Sequence, residues 1–266
     1  MPPSVKHPPL SLITLNIRGF QLSGTPLKRR IELILTQLIP SDAAELHLQE
    51  VYTYHTLRHL RKDLRDQYPY ISYKKGAFGP KAGLVSFFKH TPKSTAFSTL
   101  PASHLARLDF LKLIPYIHKG ILITTTNTQE IRLNLHLDPD HTGEWNEDSS
   151  AMRLITKQLH AVADLIQNLK MRHTMILIAG DFNLPADTAT YRHFIKCLAL
   201  KDALTGNFRP TFHASFLPKN KIPRQIDHVL ISSQEYRMTA TLILDKPING
   251  MYPSDHLGIK VTIIKQ

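Results

Sequence analysis

The chain carries a set of polar residues at places where apolar runs stop. Asn16 closes LSLITLN, Gln49 and Glu50 close ELHLQE, and Asp181 and Asn183 follow MILIAG. Asp227 opens DHVLI, and Ser254, Asp255 and His256 stand just before the last apolar run, GIKVTII. In EIRLNLHLD the alternation is clean: Ile131, Leu133, Leu135 and Leu137 face one way, and Arg132, Asn134, His136 and Asp138 the other. Asn134 and His136 are therefore expected to share a face opposite the core. Each residue has a plain reading by itself. Asp-x-Asn after a strand is commonly an Asx turn, Asp187 is placed to cap the helix that follows, and a strand-end glutamate is commonly solvated. As a set they supply the oxygen ligands, proton carriers and amide donors that metal-assisted phosphoryl chemistry requires.

Rigid elements must bring those ends together. Leu10–Ile17 reads as a largely buried strand, Leu27–Ile39 as an amphipathic helix, and Glu45–Val51 as a short strand. Leu57, Leu60 and Leu64 mark a second helix; ISYKK and Gly83–His90 are strands on either side of the loop KKGAFGPKAG. GILITTT and EIRLNLHLD form a hairpin around Asn127–Gln129, and Ile155, Leu159, Val162, Ile166 and Leu169 keep the period of a long third helix. MILIAGDF is a strand, a shorter fourth helix follows, and Ile226–Ser232 and Gly258–Ile264 are the last strands. With no long linker and no internal repeat, this pattern points to one α/β domain over residues 10–266, two stacked sheets covered outside by helices. Residues 1–9 read as an N-terminal extension.

A chain of 266 residues with 42% hydrophobic and 20% charged residues is ordinary globular composition. No apolar run is long enough to span a bilayer, and the N-terminal residues lack the apolar stretch of a secretion signal. The expected location is cytoplasmic, or outside the cell by a route without a cleaved signal, and not transmembrane. The single cysteine, Cys197, excludes a disulfide framework and a cysteine zinc site; its place in YRHFIKCLAL suggests burial on a helix face. The net charge of +12 favours a partner that carries phosphate, such as nucleic acid, an anionic membrane surface or a phosphorylated small molecule. The runs LKRR and KKGAFGPKAG offer charge for such contacts, though an exposed helix face and a solvated turn explain them equally. Nothing calls for an obligate protein partner.

The series TLNIRG, QEV, NLHL, GDFN, IDHV and SDH, in that order and spacing from about Leu10 to Ile264, resembles the endonuclease/exonuclease/phosphatase superfamily. That family includes DNase I-like and abasic-site nucleases, sphingomyelinases, inositol-polyphosphate phosphatases and tyrosyl-DNA phosphodiesterases. The resemblance implies a four-layer αββα sandwich with two mixed, mostly antiparallel sheets. It implies Mg²⁺, with Mn²⁺ as a substitute, held by Glu50. Asn16 is grouped with the metal set, orienting Glu50 or touching the phosphate, and Asp255 orients the neighbourhood of His256 or binds a second ion. Asp181 would position and deprotonate the attacking water, and Asn183 would donate to the pentacovalent centre. His256 would bind or protonate a phosphoryl oxygen, with Asp227 fixing its tautomer. His136 would donate to a phosphoryl oxygen or protonate the leaving alkoxide. Asn134, Thr211 and Arg18 complete the implied set as substrate-binding residues.

For the substrate, HLDPDHTGEWNEDSS and HKGILIT are similar to the sphingomyelinase-like branch. A phosphodiesterase of sphingomyelinase or phospholipase C type is the first reading. A DNA or RNA endonuclease, supported by the charge, is the second, and an inactive binding scaffold the third. Trp145 reads equally as a substrate or membrane contact or as an anchor for its loop.

Overall fold

The apolar runs do become strands. The computed structural model describes residues 9–20, 25–102, 119–173, 175–206 and 209–266. Residues 1–8 of the expected N-terminal extension therefore lie outside the described residues. In chain order the elements are β1 (Leu10–Asn16), α1 (Leu27–Leu38), β2 (Glu45–Gln49), α2 (Tyr54–Leu64), β3 (Tyr70–Ser72), β4 (Val85–Phe88), β5 (Ser94–Thr99) and β6 (Gly120–Thr125). There follow β7 (Ile131–His136), α3 (Ser150–Lys170), β8 (Ile176–Asp181), α4 (Ala189–Cys197), β9 (Lys201–Asp202), β10 (Asp227–Ile231), β11 (Tyr236–Ile243) and β12 (Gly258–Lys265).

Two six-stranded sheets result, in the orders β11-β12-β1-β2-β4-β3 and β5-β6-β7-β8-β10-β9. Each has one parallel pair near its middle, β1 with β2 and β7 with β8, and antiparallel pairing elsewhere. The parallel pairs place the chemistry. Parallel neighbours end at the same edge of a sheet, so Asn16 comes beside Gln49 and His136 beside Asp181. Antiparallel β10 then starts where β8 ends, which registers Asp227 against Asp181.

Three apolar layers hold the sandwich. Ile31, Ile34 and Leu38 of α1 and Leu57, Leu60 and Leu64 of α2 pack on the first sheet. Ile155, Leu159, Val162 and Ile166 of α3 pack with Leu133, Leu135 and Phe182 on the second. Between the sheets, one half is apolar, with Leu12, Leu177, Val229 and Val261. The other half is polar. Arg132 Nε donates to both carboxylate oxygens of Glu45 at 2.9 Å, His47 Nδ1 meets Ser86 Oγ at 2.9 Å, and Gln49 Nε2 donates to Asn134 Oδ1 at 2.8 Å. The polar face of β7 is opposite the helix-side core, as its alternation implies, and Arg132, Asn134 and His136 are all buried because that face covers the other sheet.

Several local expectations also change. Thr188, not Asp187, caps α4, accepting from Tyr191 N; Asp187 pairs with Arg224. Cys197 is exposed beside His193, since α4 buries the face of Tyr191 and Phe194. Within LKRR, Arg30 is buried, its guanidinium donating to the carbonyls of Ile17, Arg18 and Pro253. It ties the exit of β1 to the approach to β12. β5, β9 and β11 were not expected: all three are edge strands, and Ser and Thr in STAFST carry little alternation. No helix among the described residues is long and apolar enough to cross a membrane.

Candidate active site

The ends of β1, β2, β7 and β8, the entry to β6 and the loop before β12 enclose a cleft of about 310 Å³. Asn16, Arg18, Glu50, Lys119, His136, Asp181, Asn183, Asp255 and His256 line it, with Phe20, Tyr52, Pro139 and His141 at the same opening. Asp181 is the hub. Its Oδ1 accepts from the backbone N–H of Asn183 at 2.8 Å, while its Oδ2 lies 3.0 Å from Asn16 Nδ2, 3.4 Å from His136 Nε2 and 3.7 Å from His256 Nε2. One carboxylate oxygen thus closes an Asx turn while the other faces the cleft.

The surrounding backbone is strained to achieve this. Arg18, Glu50 and Asn183 all have left-handed φ, 51°, 65° and 49°. Asn tolerates that region, whereas a glutamate there costs about 1–2 kcal/mol. Two glycines permit the packing. A Cβ on Gly19 would lie 1.6 Å from the Glu50 carbonyl oxygen, and one on Gly180, at φ 146°, 2.0 Å from the Leu135 carbonyl oxygen. The loop after β1 therefore seats on Glu50, and β8 lies close against β7.

Each remaining group is held by neighbours. Asn16 donates to Glu50 Oε1 at 3.2 Å and to Asp181, while its own oxygen accepts from Arg18 N at 2.9 Å. Its amide nitrogen faces the carboxylates and its oxygen the Arg18 backbone N–H. Asn183 Nδ2 donates to Leu137 O, and the Asn183 carbonyl accepts from Trp145 Nε1 at 2.9 Å. Trp145 is the anchor of its loop. Asp227 Oδ2 is 2.9 Å from His256 Nδ1, and Arg18 Nε is 3.2 Å from Asp255. Two expected substrate contacts sit behind the cleft. Thr211 is buried, its hydroxyl accepting from Ile226 N and Asp227 N, and Asn134 donates to the carbonyls of Leu48 and Val85. They hold the walls.

Electrostatics divide the three buried acid–base groups. Burial raises Asp181 to about 6, against the pull of His256 and with the push of Asp227. Burial by itself would lower His256, but Asp227 and Asp181 overcome it and hold the imidazolium well above the ordinary histidine range. Burial, then Lys119 and His256, push His136 well below that range. Lys119 is the group that sequence reasoning missed. Its Nζ is 2.7 Å from His136 Nε2, and its only sequence signal was the Lys-Gly entry to β6. Gly120 pairs with His136, so the residue before it arrives at the imidazole.

Two groups of side chains offer ligand atoms of the kind a divalent cation takes. Glu50 and Asp255 line the cleft with carboxylate oxygens. Asp181, Asp227 and His256 have ligand atoms all within 4.8 Å of one another, although the hydrogen bond between Asp227 and His256 already uses two of them.

A sequence profile of the Endonuclease/Exonuclease/phosphatase family matches residues 13–256. The chain belongs to this family. It is accordingly a phosphoester hydrolase by descent, with the DNase I-like sandwich. Among solved structures, SmcL is similar at a TM-score of 0.75 and 14% identity, over 96% of this chain and 98% of its own. Beta toxin from Staphylococcus aureus gives 0.73 and 16%, over 95% and 99%. Truncated TDP2 from Caenorhabditis elegans gives 0.71 and 18%, over 96% and 97%. At these identities the likeness shows the family's fold. No curated protein matches by sequence.

Proposed function

We propose that this protein is a Mg²⁺-dependent phosphodiesterase that cleaves a phospholipid headgroup, of sphingomyelinase or phospholipase C type. The observation that carries the reaction type is the convergence of Asp181, Asn183, His256 and Glu50 on one cleft. Support for the substrate comes from the size of that cleft and its lip. About 310 Å³ suits one phosphoryl headgroup, and the half-exposed Phe20 stands at the opening.

Glu50 and Asp255 would hold the cation, with Asn16 fixing the orientation of Glu50. When bound, the cation draws charge from the phosphoryl oxygens and lowers the repulsion of an incoming nucleophile. Asp181, kept near 6 by burial, is a carboxylate at neutral pH and basic enough to take a proton from water. Asn183 donates to the oxygens that gain charge. The His256 imidazolium, fixed through Nδ1 by Asp227, presents Nε2–H to a phosphoryl or leaving oxygen.

A second reading, a nuclease, is favoured by the net charge of +12. Purified protein with Mg²⁺ should be assayed in parallel on sphingomyelin vesicles, phosphatidylcholine vesicles and plasmid DNA, each with and without EDTA. Headgroup release that stops with EDTA and in Asp181→Asn is the expected result. Nicking of plasmid with the same dependence, and no release from vesicles, would replace the lipid reading with the nuclease one.

A further inference from the structure

We infer that Lys119 is a further catalytic residue of the cleft: its ammonium, held in place by the imidazole of His136, binds a non-bridging oxygen of the substrate's phosphoryl group. This rests on the phosphodiesterase reading above.

An ammonium only donates, so at 2.7 Å the Nε2 of His136 must accept. With Lys119 charged, the ring proton is on Nδ1, a buried atom with no hydrogen-bond partner among the described residues, and the ring is neutral. Asp181 Oδ2, at 3.4 Å from the same nitrogen, is too distant to compete for that assignment. A neutral acceptor aims the ammonium without cancelling its charge, as a carboxylate would. His136 engages one of the three N–H donors.

Lys119 is only 4% exposed, yet among the described residues no carboxylate lies within ion-pair distance of its Nζ. Glu50, Asp138 and Asp181 act on it through space. A buried charge whose hydrogen-bond partner is neutral is costly. The structure keeps one at the wall of a cleft that gathers the residues of phosphoryl transfer. An anionic oxygen entering the cleft supplies the missing counter-charge, most strongly as charge builds in the transition state. Burial lowers the Lys119 pKa against the through-space pull of Glu50, Asp138 and Asp181, a pull that an entering phosphoryl oxygen would strengthen. His136 then has the task of positioning Lys119, in place of protonating the leaving alkoxide.

The decisive variants are Lys119→Met and Lys119→Cys, the latter with Cys197→Ser because Cys197 is exposed. Treatment with 2-bromoethylamine alkylates the new thiolate, releases bromide and restores an ammonium at lysine's reach. Hydrolysis of a phosphodiester should fall about 10²–10³-fold in kcat for Lys119→Met and the untreated cysteine variant. Aminoethylation should recover at least about tenfold of that loss. Lys119→Met should melt at or above the wild-type temperature, since it removes an uncompensated buried charge. Inorganic phosphate, followed through the fluorescence of Trp145, should bind the wild type more tightly than Lys119→Met. Wild-type kcat and phosphate affinity in Lys119→Met would overturn the inference. So would a lowered melting temperature with losses that aminoethylation does not repair, which would make the lysine structural. If the wild type cleaves no phosphodiester, the functional reading fails by itself, and the phosphate titration still decides the part played by Lys119.

Discussion

At the scale of residues, the cleft works by giving similar side chains different charges. Asp181 and Asp227 are both buried carboxylates; burial raises Asp181 to about 6, and Asp227 Oδ2 is engaged by His256 Nδ1. His136 and His256 flank Asp181 and are pushed in opposite directions. If the carboxylate of Asp181 is the base, activity should be low below its pKa and rise with pH through about 6. A pH–rate profile that is flat from 5 to 8 would remove Asp181 from that role. Glu50 makes a separate test. Its φ of 65° suits glycine, so Glu50→Gly should leave the melting temperature within a few degrees of wild type while abolishing cation-dependent activity. Thermal melts and a Mg²⁺ titration check both halves. These residues were legible in the sequence because strand ends rarely carry acids and amides together. Lys119 was not, since its meaning comes only from the pairing of Gly120 with His136.

At the scale of elements, the two parallel pairs do the positioning, and β8 depends on Gly180 to lie against β7. Gly180→Ala would bring a methyl group within 2.0 Å of the Leu135 carbonyl oxygen in a backbone region that disfavours side chains. We predict a loss of about 3 kcal/mol or more in denaturant unfolding. A variant as stable as wild type would show that β7 and β8 separate easily, against the rigidity assigned to them. Helix and strand periods were readable wherever one face is apolar, as in α2 and α3. They were not where an edge strand is built of Ser, Thr and Ala, as in β5. The alternation in β7 separated its two faces, but alternation does not say whether the polar one meets water or another sheet.

At the scale of the whole molecule, the seam between the sheets is apolar on one side and ionic on the other. Burial would raise Glu45, but Arg132 and His47 outweigh it and hold the carboxyl below its ordinary 4.5. Asp202 is likewise held below 3.8, by His228 and the Leu204 N–H against burial. Since both folded values lie below the unfolded ones, their contribution is present above about 4.5 and is lost as pH falls through the folded values. Stability measured by denaturant should therefore drop as the pH is lowered beneath 4.5. Glu45→Gln should cost about 3–5 kcal/mol, because buried Arg132 loses the carboxylate at its Nε and keeps only Glu130, whereas Glu45→Leu combined with Arg132→Met should recover most of it. Equal losses in the single and double variants would mean that packing, not charge, joins the sheets there. The layered architecture could be read from the order of strands and helices. The ionic seam could not, because Glu45 and Arg132 are 87 residues apart.

The central claim is that the cleft around Asp181 hydrolyses phosphodiesters with a bound divalent cation. It is tested most directly by turnover of bis(p-nitrophenyl) phosphate by wild type, Asp181→Asn and Glu50→Gln across a Mg²⁺ titration. The account predicts saturable, EDTA-sensitive release of p-nitrophenol by the wild type and at least about a hundredfold loss in both variants. Undiminished turnover in Asp181→Asn, or wild-type turnover indifferent to EDTA, would contradict it.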